Sequence, residues 1–413
     1  MGERADVVVV GGGPAGALTA MLLARAGHDV VLLERAPRWR WRACGVFASP
    51  ASVAALRALG VEPAALARVT QPVPAMEVVS ARNARFGLTY GSRGSLADSA
   101  VGFDRAVLDP LLLDLARGAG ADVREGVAAQ RLRLASDQVR VELGRGVGGA
   151  GAADEVSLPG LLGRVVVGAD GIASRVAAEA GVTRNAPLGP RAALTFHVAD
   201  ARAVAGEPAP ARMCVIDDGY VGLAPVPGDR VNVGIVLGRS WFARLRQVGA
   251  RQLAREVLER LPAEDDRVLA RVEPLDRVAG ITPLGHSVAR RAGASWLLVG
   301  DASGFLDPFT GEGLHRAIVS AGLAAEAVDR LLRGAPGASL TEYEDAMRAR
   351  FARKDLVSRI VQAFLGQPAL FEYAARRLGA RTRLRETMGD VIGDLAPAER
   401  VLDPRYLIAL LVP

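Results

Sequence analysis

Hydrophobic residues in this chain come as short unbroken runs separated by helical stripes. Asp6–Val10 is a continuous β-branched run, the pattern of a strand covered on both faces of a parallel sheet. Pro14 then opens a helix with Leu18, Met21 and Leu22 on one face and Gly27 at its end. Val30–Leu33 is the next buried strand, so the chain begins with a βαβ unit of a doubly wound sheet. Residues 102–126 predict a long helix (Leu108, Leu111, Leu112, Leu115), then Gly118–Gly120 and a short strand at Val123. Residues 142–160, rich in Gly and Ala, read as a loop, and Val165–Val167 as another buried strand. From about 190 to 280 the pattern changes to alternating strands, with a hairpin at Pro227-Gly228-Asp229. After residue 312 it is mostly helical.

The expected fold is α/β, with a GxGxxG Rossmann-like nucleotide-binding domain drawn from residues 1–72, 100–185 and 280–334. An inserted mixed or antiparallel β-sheet (73–99 and 186–279) forms the substrate domain, and 335–413 form C-terminal helices. Composition agrees with a folded enzyme-sized chain: 413 residues, half hydrophobic and 23% charged. Lys354 is the single lysine, so the net charge of +6 rests on arginines. No basic run is interleaved with aromatics, which excludes nucleic-acid binding; scattered Arg suits anionic cofactors or substrates. Cys44 and Cys214 form no CxxC pair, against zinc, four-cysteine iron–sulfur centres or a disulfide framework. The apolar stretch Tyr406–Val412 is too short to span a bilayer and no signal peptide is recognisable, so a soluble cytoplasmic protein is expected.

Gly11-Gly12-Gly13-Pro14-Ala15-Gly16 places G-x-G-x-x-G after a strand and at a helix start. Gly11 serves the tight turn, Gly13 the approach of a pyrophosphate, and Gly16 the close packing of helix on strand. Glu34, ending the second strand, suits the two ribose hydroxyls of an adenosine and disfavours a 2′-phosphate. A second match, Gly146–Gly151, is followed by no amphipathic helix and carries no phosphate argument. No second nicotinamide-type domain is expected.

Two further segments separate FAD from NAD. One is RVVVGADGIASRV, a buried strand ending in Gly168-Ala169-Asp170-Gly171; the other is GDASGFLDPFTGEGLHRAI, residues 300–318. Together with the first fingerprint they resemble the flavoprotein family of p-hydroxybenzoate hydroxylase-like monooxygenases and geranylgeranyl reductases. Thr310–Gly313 (TGEG) and Arg42-Ala43-Cys44-Gly45 are most similar to the geranylgeranyl reductase branch. The resemblance implies an FAD enzyme with Glu34 at the adenosine ribose, Arg105 at the pyrophosphate or flavin edge, and Asp301 at a ribityl hydroxyl. Gly311 to Gly313 would bring N–H groups to the flavin N1–C2=O edge, where a helix N-terminus stabilises negative charge. The full set of cofactor-contacting positions is Gly11, Gly13, Pro14, Ala15, Gly16, Glu34, Arg35, Arg42, Cys44, Arg105, Asp170, Gly300, Asp301, Pro308, Gly311, Glu312, Gly313 and Leu314. Asp170 reads equally as a loop acid capping local N–H groups.

Three chemistries compete at such a flavin. Halogenation is disfavoured: Lys354 follows every flavin motif, and Trp39-Arg40-Trp41 matches only half of the halogenase W-x-W-x-I-P. Oxygenation of a hydrophobic biosynthetic small molecule, with O2 and NAD(P)H, is favoured over reduction or dehydrogenation of a carbon–carbon bond. The reductase stretch Y-x-W-x-F-P reads here Tyr220-Val221-Gly222-Leu223-Ala224-Pro225, with both bulky aromatics lost. A non-catalytic FAD-binding electron carrier is the remaining alternative. Tyr220, Cys44 and His315 are the candidate catalytic side chains, each with a bland reading as a satisfied tyrosine, a small apolar thiol and a solvent-facing histidine. The apolar face of the C-terminal helices (Leu356, Ile360, Phe364) packs on the nucleotide domain, lines a pocket for a lipophilic substrate, or rests on a membrane surface.

Overall fold

The computed structural model describes residues 3–39, 41–90, 99–146, 157–186, 188–199, 210–262 and 264–412. Residues 147–151 of the second glycine-rich match, and Arg40, lie outside them. The first strand, Glu3–Val10, lies parallel between Val30–Glu34 and Ser157–Gly168. Val7 to Val9 are fully buried, because β-branched side chains suit a pleated surface covered on both sides. The sheet continues through Asp122–Glu125 at one edge and through Val139–Arg145 and Val127–Leu134 at the other; Trp296–Leu298 joins the end of Ser157–Gly168 in parallel. It is a Rossmann-type sheet.

Helices Pro14–Arg25, Arg105–Gly118 and Gly313–Leu332 share one core with this sheet, where Leu18, Met21, Leu108, Leu112 and Val328 are buried. Each such side chain contributes about 1.5–3 kcal/mol of burial. The helix expected from residue 102 begins at Arg105, because Asp104 accepts a hydrogen bond from the Ala106 N–H (2.9 Å) and caps it.

The second sheet runs in the order Ala279–Ile281, Ala192–Ala199, Arg230–Leu237, Gly219–Val226, Ala211–Ile216, Ala75–Val79, Arg85–Thr89. Its central hairpin turns at Gly228 (φ 84°) and Asp229 (φ 51°), positive values that the strand twist of a tight hairpin requires. One face packs on helix Phe242–Leu258 through Phe196, Val233, Ile235, Leu253 and Val257. The other face meets the C-terminal helices. Thr341–Leu365 lies against Gly313–Leu332, but of the apolar face read from its sequence Leu356 is exposed and Phe364 packs on the second-sheet cluster. Pro368–Ala380 and Thr382–Ile392 instead cover Arg85–Thr89, with Phe371, Leu378 and Val391 in one cluster with Phe86, Leu88 and Tyr90. Among the described residues no helix is long and apolar enough to cross a membrane.

Candidate active site

Two helix N-termini converge on the carboxyl ends of the parallel strands. The first is built from glycine. Gly11 takes φ 109°, and a Cβ there would strike the Ala169 carbonyl; a Cβ on Gly16 would strike the Gly11 carbonyl. Around Gly13, by contrast, a Cβ would meet nothing within 4 Å. Helix Pro14–Arg25 has no side-chain cap, so its first N–H groups are unspent by any side chain. Glu34 is buried and accepts from the Gly12 N–H (2.8 Å) and the Ala36 N–H (2.9 Å), which aims the carboxylate at the strand end with lone pairs to spare.

The second N-terminus, at Gly313–Leu332, also lacks a side-chain cap, and a Cβ on Gly313 would meet nothing within 4 Å. Gly311 has φ 69°, and a Cβ there would meet the Phe47 ring. Gly300 (φ 55°) stands against Ala15 of the first junction, so the two junctions touch. Pro308 precedes Gly311, whose N–H returns to the Pro308 carbonyl at 3.0 Å.

A buried charge pair lies within electrostatic reach of Asp301. Arg105 forks onto Asp109 one turn later, Nε to Oδ1 at 2.6 Å and Nη2 to Oδ2 at 2.9 Å, and its Nη1 donates to the Gly45 carbonyl (3.0 Å). Arg42 reaches the same Asp109 at 3.5 Å from the exposed side. Burial pushes the half-buried Cys44 thiol above its ordinary value, with Arg105 pulling against it. Burial likewise raises Asp301, opposed by Arg105, His286 and Arg316.

Each expected catalytic side chain now has a location. The Tyr220 hydroxyl donates to Asp307 Oδ1 (2.6 Å); the same carboxylate takes Arg191 (2.6 Å), Gln362 (2.7 Å) and the Phe309 N–H (2.9 Å). Burial and the Asp307 charge push the phenol well above its usual range, so Tyr220 anchors this network and does not offer a proton. His315 turns toward helix Thr341–Leu365, where its Nε2 accepts from Arg350 (3.0 Å), and burial lowers its pKa. Its Nε2 is engaged, while its Nδ1 is buried without a partner. Tyr220 and His315 are thus tied up at the second junction, while Cys44 lies in the field of Arg105 and Asp301. Asp170 does cap: its Oδ2 accepts from the Arg175 N–H (2.6 Å), while Oδ1 is buried without a partner. Arg35 is exposed at the strand end, and Leu314 is buried in the first turn of the second helix.

Lys354 needs correcting. Its place after the flavin motifs in sequence suggested distance, yet its Nζ lies 3.6 Å from Glu312 Oε1. It also donates to Asp394 Oδ1 (2.8 Å) and to the Val391 carbonyl. Its donors are consumed within the fold, leaving no free amine for halide chemistry. Burial raises Glu312, and Lys354 opposes the rise.

On the second sheet, register sets three cross-strand rows on the face toward the C-terminal helices: Ala193–Val236–Tyr220, Thr195–Gly234–Gly222 and His197–Asn232–Ala224. The middle row has two glycines, and a Cβ on Gly234 would touch only the Gly222 carbonyl, at 3.9 Å. Trp41 packs on Ala224, Val226 and Val46 from the loop after the second strand.

These residues fit FAD. Gly13 and Gly313 leave open space in front of two uncapped helix N-termini, one for a pyrophosphate and one for a flavin edge. Glu34 has acceptor capacity for a ribose, and the Asp170 Oδ1 orphan lacks a donor. The profile of the family described as FAD binding domain matches residues 4–358. Menaquinone reductase of Mycolicibacterium smegmatis is 28% identical over 415 residues, covering 95% of this chain and 93% of that protein. Digeranylgeranylglycerophospholipid reductase 1 of Methanopyrus kandleri is 30% identical over 358 residues, covering 84% and 86%. Among solved structures, PqsL of Pseudomonas aeruginosa in complex with 2-aminobenzoylacetate superposes with a TM-score of 0.71 at 25% identity, covering 90% of this chain and 99% of that one. PqsL is described as a probable FAD-dependent monooxygenase.

Proposed function

The chain belongs to the FAD binding domain family and is an FAD-dependent oxidoreductase; on that premise we propose that it reduces carbon–carbon double bonds in the polyprenyl chain of a lipophilic substrate, with NAD(P)H as electron donor. The observation that carries this reading is Trp41 on Ala224. The loss of aromatics from the 220–225 strand argues against a prenyl substrate when the strand is read alone. With Trp41 entering from the facing loop, an aromatic wall would be supplied from the other side, and the side-chain-free Gly222–Gly234 row beside it would leave room for the branch methyls of a polyprenyl chain. The relatives named menaquinone reductase and digeranylgeranylglycerophospholipid reductase, covering 84–95% of this chain, support the same class.

Bound FAD supplies the hydride. The pyrophosphate would rest on the N–H groups opening Pro14–Arg25, the ribose on Glu34, and the ribityl chain on Asp301. The N-terminus at Gly313 would stabilise negative charge at the flavin edge. In this reading Cys44 would deliver the matching proton. Burial keeps its thiol protonated, and the Arg105 guanidinium beside it steadies the thiolate left behind until solvent reprotonates it. The product gains one hydride and one proton across the former double bond.

Mass spectrometry of a geranylgeranyl glycerolipid incubated with the protein and NAD(P)H tests the reading. Gain of hydrogen at an alkene supports it; gain of oxygen favours the second reading, oxygenation, for which the PqsL likeness speaks. Cys44→Ser is expected to lower turnover by about 10²-fold, the lower range for a lost general acid.

A further inference from the structure

Trp39, Trp41 and His197 form a stack that neither cofactor binding nor hydride transfer uses. The Trp39 and Trp41 ring centroids are 6.2 Å apart, and those of Trp41 and His197 are 4.3 Å apart. His197 is 3% exposed and doubly fixed by Asp276, whose Oδ2 takes Nδ1 (2.6 Å) and whose Oδ1 takes the His197 N–H (2.9 Å). That pairing assigns the Nδ1 proton to the carboxylate side and leaves Nε2 as a lone pair. Nε2 is buried and has no partner, and so is the Trp39 Nε1 donor at the other end of the stack. Two orphaned polar atoms of opposite sense in one aromatic cluster are costly unless a ligand completes them. Trp41 cannot do so, because its Nε1 already donates to the Thr195 carbonyl (3.3 Å).

The cluster also borders the glycine row. His197, Asn232 and Ala224 share a cross-strand row beside Thr195–Gly234–Gly222, and Asn232 donates to Thr195 Oγ1 (3.1 Å). We propose that the Trp39–Trp41–His197 stack is the head-group subsite, binding a planar ring that carries oxygen substituents at one end of the polyprenyl substrate. A ring hydroxyl would donate to His197 Nε2, and a ring carbonyl would accept from Trp39 Nε1. The tail would then run along the Gly222–Gly234 row. This assignment rests on the polyprenyl reading above, which it refines by giving the substrate a ring head.

The test titrates the FAD-loaded protein with 5-hydroxy-2-methyl-1,4-naphthoquinone, a quinone that carries both a ring hydroxyl and ring carbonyls, following tryptophan fluorescence, and with geranylgeraniol as a ring-free probe. His197→Phe keeps the ring stack but removes the polar atom, and Trp39→Phe removes the donor. Each is expected to weaken quinone binding about tenfold, the worth of one buried hydrogen bond. Geranylgeraniol binding stays within twofold, and His28→Gln on the far end of the first helix changes neither. If His197→Phe does not retain FAD, Asp276→Asn carries the test, since it leaves the imidazole in place but unfixed; weaker quinone binding is again expected. Wild-type affinity in these variants, no quinone binding by the wild type, or equal losses for both probes overturns the proposal. Persistent His197-dependent quinone binding without alkene reduction sinks the reductase reading and leaves the subsite standing.

Discussion

The two strand-to-helix junctions, at Gly11–Gly16 and at Gly311–Gly313, solve one problem by different means. At the first, everything needed is local: Gly11, Gly13 and Gly16 lie within six residues, and Glu34 is one strand away. At the second, Gly311 and Gly313 supply the turn, but distant groups hold it. Asp307 is held by Arg191, Tyr220 and Gln362, and Glu312 by Lys354, which Asp394 shares. Asp394 in turn accepts from Ser49 at the start of helix Pro50–Ala58. The first junction is a property of the chain's local backbone, the second of its whole tertiary fold. Substitutions should therefore fail differently at each.

Lys354→Met is expected to have the largest effect on stability. It strands the buried Glu312 and Asp394 carboxylates without their cation, which costs about 3–5 kcal/mol. Chemical denaturation reads this directly, and unchanged stability would show that the second junction does not depend on the C-terminal helices. Gly16→Val comes next, at about 1–3 kcal/mol with loss of flavin, because its Cβ would meet the Gly11 carbonyl. Tyr220→Phe should cost about 1 kcal/mol in melting experiments, since Asp307 keeps its other three partners. Gly13→Asp sharpens the contrast: stability within about 0.5 kcal/mol of wild type, as its Cβ has open space, but no FAD after purification.

The smallest effect is on pH dependence. Burial lowers the folded-state pKa of His315 below the ordinary 6.5, so the unfolded chain binds a proton that the folded chain refuses. Stability from this group is complete above the unfolded value and is lost as pH falls through it. His315→Gln should flatten that limb between about pH 7 and 5, read as a smaller drop in melting temperature. An unchanged slope would place the acid sensitivity elsewhere.

How much of this was legible follows the same divide. The Rossmann unit, the hairpin at Gly228 and the FAD fingerprint depend on residues close in sequence, and periodicity with glycine placement reveals them. Asp109 was readable too, as the acid four residues after Arg105 on one helix face. The Lys354–Glu312 pair, the side-chain bonds to Asp307 and the His197–Asp276 pair join residues 42 to 116 positions apart, and no local pattern marks them. Lys354 shows the cost: sequence order set it apart from the 300–318 segment, and the fold returns it to Glu312. Tyr220 and His315 keep two readings each in the sequence, since only packing shows the partners Asp307 and Arg350 that hold them.

The most direct measurement is the oxidative half-reaction without oxygen. Protein reduced chemically under anaerobic conditions is mixed with a geranylgeranyl glycerolipid, and flavin absorbance is followed. The account predicts reoxidation by the lipid, with the alkene converted to alkane in equal amount. Flavin that stays reduced until O2 is admitted, then yields an oxygenated lipid, would contradict it.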